Sequence, residues 1–330
     1  MTAAGGATAD NWALLGDLGG TNARFARREA DGSIRDPRNL ACADYADPAA
    51  AAEAYLATQS GRPRVASLSI ASPDRGDRVT MTNSGWEFSA AETRERLGLD
   101  ALHLLNDFSA QALAVTGLDT GERIPIGGGA PEDGAPIGVI GAGTGLGVSG
   151  LVPCHGEWIA LRSEGGHVGF SPESPREAAV HQLLIDEFGR VSAELLVSGP
   201  GIERLYACLA RLDGIDGPCP DAATITSPAR RESDPLAGEA TALFCAFLGS
   251  VAGDLALTLG AFGGVYVSGG IAPQLGSTFV ASDFRRRFEG KGRLSTMMAA
   301  VPTYLVTADH MGLRGAAVHL ARQERERQAA

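Results

Sequence analysis

Leu14-Leu15-Gly16-Asp17-Leu18-Gly19-Gly20-Thr21-Asn22-Ala23-Arg24-Phe25 (LLGDLGGTNARF) is an apolar run broken by one carboxylate, two glycines and a hydroxyl before apolar character resumes. Apolar flanks around Gly-Gly predict a β-hairpin, with strands over 13–17 and 22–28. Glycine at the tip lets the backbone take positive φ and approach a ligand with no Cβ in the way. Successive N–H groups then make a concave anion site, a threonine hydroxyl adds a donor, and a nearby carboxylate holds magnesium directly or through its waters. Gly16, Asp17, Leu18, Gly19, Gly20 and Thr21 supply all of these. A plain tight turn, which uses the same Gly-Gly pair, is the competing reading.

IGVIGAGTGLGVSGL (137–151) repeats the plan of strand, glycine-rich tip with a threonine, and strand. Its glycines, Gly141, Gly143, Gly145 and Gly147, alternate, and a strand-like VSGLV follows. A dinucleotide turn needs G-x-G-x-x-G opening a helix, so this is not one. No G-x-x-x-x-G-K-[ST] occurs either. Two such hairpins and a late VSGGI (267–271), with Gly269 and Gly270, fit three contacts on one nucleotide. They also suggest duplicated lobes facing across a cleft, or a short coincidence.

The 330 residues suggest two lobes with separate cores. A formal net charge of -11 argues against nucleic acid or an anionic membrane as partner. Five scattered cysteines without a C-x-x-C pair point to a reducing cytoplasm rather than a disulfide framework or zinc site. The opening MTAAGGATADN lacks the pattern of a signal peptide and reads as a flexible tail over 1–12. Leu243 to Val267 carries only Asp254 as a charge and is long enough to span a bilayer. Glycines at its end, absent basic flanks and the following VYVSGG make it a buried helix leading into a strand.

Elsewhere strands and helices alternate, which implies α/β architecture. Strands are predicted at 65–71, 102–106, 137–141, 147–152, VYVSGG and TYLVT. Helices are predicted at 48–59, 89–97 (Ser89 and Glu92 as a capping box), 108–115, 200–212, 235–260 and 312–323. SPREAAVHQLLIDEFG (174–189) has Ser174 as N-cap, Pro175 in the first turn, Glu177 completing a capping box and Gly189 as stop.

GDLGGTNARFA, NDFSAQALA, GAGTGLGVSGL, SEGGHVGF, VSAELLVSGPG and FGGVYVSGGI resemble, in order and over nearly the whole chain, the bacterial glucokinases of the actin-like ATPase and sugar-kinase superfamily. The resemblance implies a two-lobed actin-like (ribonuclease H-like) fold, with nucleotide and sugar in a cleft between lobes. The small lobe would be 13–117 plus 308–330 and the large lobe 118–307. It also implies phosphoryl transfer from ATP with Mg2+ to glucose, and a homodimer.

By that resemblance Asp107 is the catalytic base, and Asn106, Glu164, His167 and Glu194 hold the sugar. Asp17 organises the magnesium, the backbones of Gly16–Thr21 and of Gly143, Thr144 and Gly145 cradle phosphates, and Gly269 and Gly270 lie near adenosine. Plainer readings stand beside these. Asp is a favoured N-cap, Glu in a first helical turn suits the dipole, and a histidine serves in many hydrogen-bonded frameworks. The glycines of SEGGHVGF would leave room for the sugar ring. Gly169 departs from the family pattern, which usually has an acid two residues after the GGH histidine. Another hexose as substrate, a non-catalytic sugar-sensing regulator and an actin-like assembly ATPase are the alternatives.

Overall fold

The computed structural model describes residues 12–72, 76–81 and 84–329. The chain divides into two compact units, one running to Gly117 and completed by Asp309–Ala330, the other Leu118–Ala308.

The first unit is built on a mixed sheet. Its strands are β1 (Ala13–Leu18), β2 (Asn22–Arg28), β3 (Ile34–Ala41), β4 (Val65–Ile70) and, after a small hairpin of β5 (Arg78–Thr80) and β6 (Glu87–Ser89), β7 (Ala101–Asn106). The order is β3-β2-β1-β4-β7, with β1–β2 and β2–β3 antiparallel and β1–β4 and β4–β7 parallel. β1 is central and buried on both faces, which is why Leu14, Leu15 and Leu18 run without polar alternation. β3 is an exposed edge, and Pro37 within it blocks further pairing.

Helix α1 (Pro48–Leu56) starts at Asp47, whose carboxylate accepts from Ala50 N–H at 2.7 Å; α2 (Ala90–Arg96) starts at Ser89, which accepts from Glu92 N–H at 3.1 Å. α3 (Asp107–Val115) follows β7 directly. The C-terminal helix, Met311–Ala329, packs so tightly on α3 that a side chain at Gly315 would collide with the Ala110 backbone. The tail expected over 1–12 lies outside the described residues except for Trp12. Trp12 is buried at 4% exposure, with the Arg27 guanidinium 4.6 Å above its ring.

The second unit carries the other large sheet: β8 (Arg123–Pro125), β9 (Ile137–Ala142), β10 (Leu146–Cys154), β11 (Glu157–Ala160), β12 (Val265–Gly269) and β13 (Thr303–Val306). Its order, β11-β10-β9-β12-β13-β8, repeats that of the first unit, with β8 added at the end. In each sheet the third, second and first strands pair antiparallel, and the fourth and fifth continue parallel. The likeness of the two glycine hairpins is thus part of a likeness of whole sheets.

Around this sheet lie α4 (Pro175–Phe188), α5 (Ala193–Leu196), α6 (Gly199–Asp213), α7 (Ala222–Thr226), α8 (Pro228–Ser233), α9 (Pro235–Leu259), α10 (Ile271–Leu275), α11 (Ser277–Val280), α12 (Phe284–Glu289) and α13 (Ser295–Ala300). α9 is long and apolar enough to cross a membrane, yet it is the core helix of this unit, with Phe244, Cys245, Phe247 and Leu248 at 0–1% exposure. α4 has the expected Ser174 cap and left-handed Gly189 stop (φ 72°). Glu177 does not close the expected capping box. Its carboxylate accepts from Glu173 N–H at 2.8 Å, one residue outside the cap, and pairs with buried Arg287 at 2.7 Å.

Candidate active site

In the first unit the register sets Leu18 beside Ile70 and Ile70 beside Asn106. The β1–β2 tip, the residues after β4 and the start of α3 therefore leave the sheet at one end, the carboxyl end of three parallel strands. Ligands of open α/β sheets collect at that end. At a strand spacing of about 4.8 Å, the tip and the start of α3 are about 10 Å apart in the sheet plane.

Asp17 is the last strand residue but one before the tip. Its side chain is 19% exposed, with Arg24 Nη1 at 3.5 Å from Oδ2 and Ser69 Oγ at 3.3 Å from Oδ1. Both bonds are long. Burial raises the Asp17 pKa above the ordinary aspartate value, and Arg24, Ser69 and His310 pull it back only in part. An under-satisfied, desolvated carboxylate gains from a cation or a cation's water, so these residues fit magnesium. Among the described residues no three His, Cys, Asp or Glu gather as a metal cage. Magnesium bound through one carboxylate and phosphate oxygens needs no cage.

The glycines around Asp17 do different work from that expected. Gly16 is inside the central strand, and a Cβ on it would stand 2.5 Å from Leu68 Cδ2, so its bareness serves packing. Leu18 is fully buried. The accessible tip begins at Gly19, whose N–H donates to Asn22 O at 2.9 Å, and Cys42 N–H supports it from behind by donating to Thr21 O at 2.9 Å. Gly19, Gly20, Gly143 and Gly145 are not at positive φ; only Gly269 of the expected site glycines is, at 81°. The tips close as tight loops of ordinary backbone, and the missing side chains matter for approach.

At the β7–α3 junction the N-cap is Asn106, not Asp107. Asn106 Oδ1 accepts from Phe108 N–H at 3.0 Å and Ser109 N–H at 3.1 Å. Asp107 is the first helical residue; its Oδ1 accepts from Phe108 N–H at 2.9 Å and Asn106 Nδ2 at 3.1 Å. The plain capping explanation for Asp107 fails, because its neighbour does that job. Asp107 is instead a carboxylate held in position by a helix start.

In the second unit Ala142 pairs with Leu146, leaving Gly143, Thr144 and Gly145 as the loop, closed by Gly143 N–H donating to Gly145 O at 2.8 Å. A Cβ on Gly143 would meet open space. Gly270 N–H donates to Ala142 O at 3.0 Å, which sets the β12 glycines beside this loop. A Cβ on Gly141 would lie 2.6 Å from the Ser268 backbone, so that glycine lets β9 and β12 come together.

Glu164 precedes and His167 ends a 3-10 turn, Gly165–His167, lying on β10. A side chain at Gly166 would collide with Leu146 O, and one at Gly165 would stand 2.8 Å from Val148. The bare glycines seat the turn on the sheet; the space they leave is filled by β10 rather than left for a ring. His167 is 59% exposed, and Arg190 Nη2 donates to its carbonyl at 2.9 Å. Glu194 Oε1 lies 3.7 Å from His167 Nδ1 and Oε2 accepts from Leu146 N–H at 2.9 Å.

Thus Asp17, Asn106 and Asp107 share one sheet end of the first unit. Glu164, His167, Glu194 and the Gly143–Gly145 loop gather in the second. Sequence reading missed Arg24, Ser69 and Arg190. Arg24 was within reach of it, since a hairpin closed at Gly19–Asn22 puts Arg24 opposite Asp17.

The glucokinase family model matches residues 14–323. The chain belongs to the glucokinase family. The glucokinase of Aromatoleum aromaticum is 49% identical over 93% of this chain and 94% of its own. The crystal structure of a glucokinase from an Antarctic psychrotroph has a TM-score of 0.84 at 36% identity, covering 94% of this chain and 99% of that one. A ROK family glucokinase from Streptomyces griseus, solved with glucose and AMPPNP, shares the fold at a TM-score of 0.64 and 19% identity, covering 94% and 99%. This glucokinase-family chain is an ATP-dependent hexose kinase, built on the mixed α/β sheets of the sugar kinases.

Proposed function

We propose that the chain transfers the γ-phosphoryl group of MgATP to the 6-hydroxyl of glucose with Asp107 as general base. The observation that carries this is the division of labour at the β7–α3 junction: Asn106 caps the helix, and the Asp107 carboxylate is held by Phe108 N–H and Asn106 Nδ2. Asp107 takes the hydroxyl proton as the sugar oxygen bonds to the γ-phosphorus. The bond from that phosphorus to the bridging oxygen breaks, and ADP leaves with the electron pair. Asn106, Glu164, His167 and Glu194 hold the sugar hydroxyls, since carboxylates and amides make paired hydrogen bonds. The N–H groups of Gly20, Thr21, Thr144 and Gly145 face phosphates, those of Gly19 and Gly143 being spent on closing the tips. Gly269 and Gly270 lie near adenosine, with open space beside Gly270, while the missing side chain of Gly269 admits the Ala142 backbone.

Asp17 would hold magnesium, which supplies charge neutralisation on the phosphates. The two units would be the lobes of an actin-like kinase, 13–117 with 308–330 and 118–307, working in the cytoplasm as a homodimer. All five cysteines being free suits a reducing compartment. A coupled assay for glucose 6-phosphate with MgATP, run beside mannose and fructose, tests the reading. Faster turnover of either other sugar would overturn glucose as the substrate, and no turnover of any hexose would overturn the kinase.

A further inference from the structure

One carboxylate in the second unit faces two ways. Glu194 stands in the first turn of α5, fixed by the Ser192 cap and by Ser198 Oγ donating to its carbonyl at 2.8 Å. Its Oε2 takes the N–H of Leu146, the first residue after the glycine loop, at 2.9 Å. Its Oε1 turns toward His167 Nδ1 at 3.7 Å. A Cβ on Gly145 would stand 2.5 Å from Oε2, so a bare residue there is what admits the carboxylate.

The backbone of the same segment ties both neighbours. Ala193 N–H donates to Val168 O at 2.8 Å and Phe170 N–H to Val191 O at 3.2 Å, on the side of the GGH turn. Gly199 N–H donates to Gly143 O at 2.8 Å, on the side of the glycine loop.

We infer that Glu194 is a positioning residue for the phosphate loop as well as a sugar contact, so that nucleotide and sugar affinity are linked through this one carboxylate. The inference rests on the reading above, in which His167 faces sugar and Gly143–Gly145 faces phosphate. An N–H···O bond to a carboxylate is about twice as strong as a neutral one, so Glu194 fixes where Leu146, and with it the loop, sits. Sugar bound against Glu194 removes water and holds its rotamer, which strengthens the bond to Leu146 in a drier setting. The linkage is reciprocal: whatever factor sugar gives to nucleotide, nucleotide gives to sugar.

The test is titration calorimetry with MgADP, which binds without reacting, in the presence and absence of saturating glucose. For the natural sequence glucose tightens MgADP by about fivefold or more, the lower end of ordinary coupling. Glu194→Gln keeps the volume but offers only a neutral acceptor. It binds MgADP several-fold more weakly without sugar, and its glucose effect falls below about twofold. Gly145→Ala, which displaces an unaltered Glu194, gives the same pattern, and thermal melts verify that both variants fold. An unchanged sugar-free MgADP affinity in Glu194→Gln overturns the inference, because Glu194 would then serve sugar alone. So does an unchanged glucose effect. If the natural sequence proves inactive on glucose, the functional reading fails by itself, while the sugar-free MgADP comparison still decides whether Glu194 positions the loop.

Discussion

Gly312, in the first turn of the C-terminal helix, lies against the carboxylate of Asp17 so closely that a methyl group there would overlap it. The Asp17 carboxylate therefore lies directly against the start of the C-terminal helix. Gly312→Ala must move either the helix or the acid. A displacement near 1 Å at a catalytic site costs about 100-fold, so kcat/KM for MgATP should fall by roughly that factor. Steady-state kinetics on a variant whose melting curve is still cooperative would show it; unchanged kinetics would mean that Asp17 tolerates displacement.

Asp17 itself opposes stability. Its pKa is raised in the folded chain, so between the unfolded aspartate value and the folded one the native state binds the extra proton. Stability from this group is then present at low pH and lost as pH rises through that window. At neutral pH Asp17→Asn removes a desolvated charge, and the ligand-free variant should melt higher than the natural sequence while its activity drops at least 100-fold. Differential scanning calorimetry beside the coupled assay checks both signs. A lower melting temperature would show that the Arg24 and Ser69 bonds outweigh the burial.

Asn106 and Asp107 should separate stability from catalysis. Asp107→Asn leaves the cap intact, so it should lower kcat by about 10²–10⁴ with little change in stability. Asn106→Ala removes the acceptor of two helix N–H groups and should cost about 1 kcal/mol in denaturant unfolding, with a weaker glucose KM besides. A full-speed Asp107→Asn enzyme would eliminate Asp107 as the base.

How much of this was readable beforehand depended on whether a residue's job was local. The hairpins, the Ser89 and Ser174 caps, the Gly189 stop and α9 follow from spacing and turn chemistry, and all stand in the structure. β3 (IRDPRNLA) and β11 (EWIA) are not legible in the sequence, because edge strands lack the apolar alternation that betrays a half-buried one. The packing roles of several glycines are not readable from the sequence. Gly16, Gly165 and Gly166 make room for Leu68, Val148 and Leu146, residues distant in the chain, and no local pattern carries that. Glu177 illustrates the same limit. Its place three residues after Ser174 spells a capping box, but a buried arginine 110 positions away attracts it more strongly.

The GGH turn yields a paired prediction. Gly166→Ala sets a methyl group into Leu146 O, a backbone atom that cannot yield without moving β10, so both stability and glucose affinity should suffer, the former by about 1–3 kcal/mol. Gly169 is exposed, and a Cβ on it would meet open space. Gly169→Asp should therefore alter stability by no more than about 0.5 kcal/mol. Urea unfolding of the two variants side by side tests the contrast; equal losses would mean that the turn, not its fit on β10, sets the tolerance.

The buried pair Arg287–Glu177 offers the sharpest test of what holds the second unit together. Side-chain exposure is 4% for Arg287 and 6% for Glu177, with Nη1 to Oε1 at 2.7 Å; Arg287 Nε also meets Ser250 Oγ at 2.9 Å and Glu173 at 3.1 Å. Burial pushes the Glu177 pKa up, but the Arg287 hydrogen bond, the Glu173 N–H and the Arg287 charge together bring it below the ordinary value. A depressed carboxylate contributes stability above its unfolded pKa and loses it as pH falls through the folded one, so the unit should weaken in acid below about pH 4.5. Arg287→Met leaves the buried Glu177 carboxylate without its charge partner and should cost about 3–5 kcal/mol at neutral pH. Adding Glu177→Leu removes the stranded charge and should recover most of that loss, since a well-packed apolar pair replaces a buried ion pair at little net change. The double variant should also lose part of the acid sensitivity, because the titrating group is gone. If the double variant is as unstable as Arg287→Met, the arginine's bonds to Ser250 and Glu173, rather than the ion pair, would be what joins α4, α9 and α12.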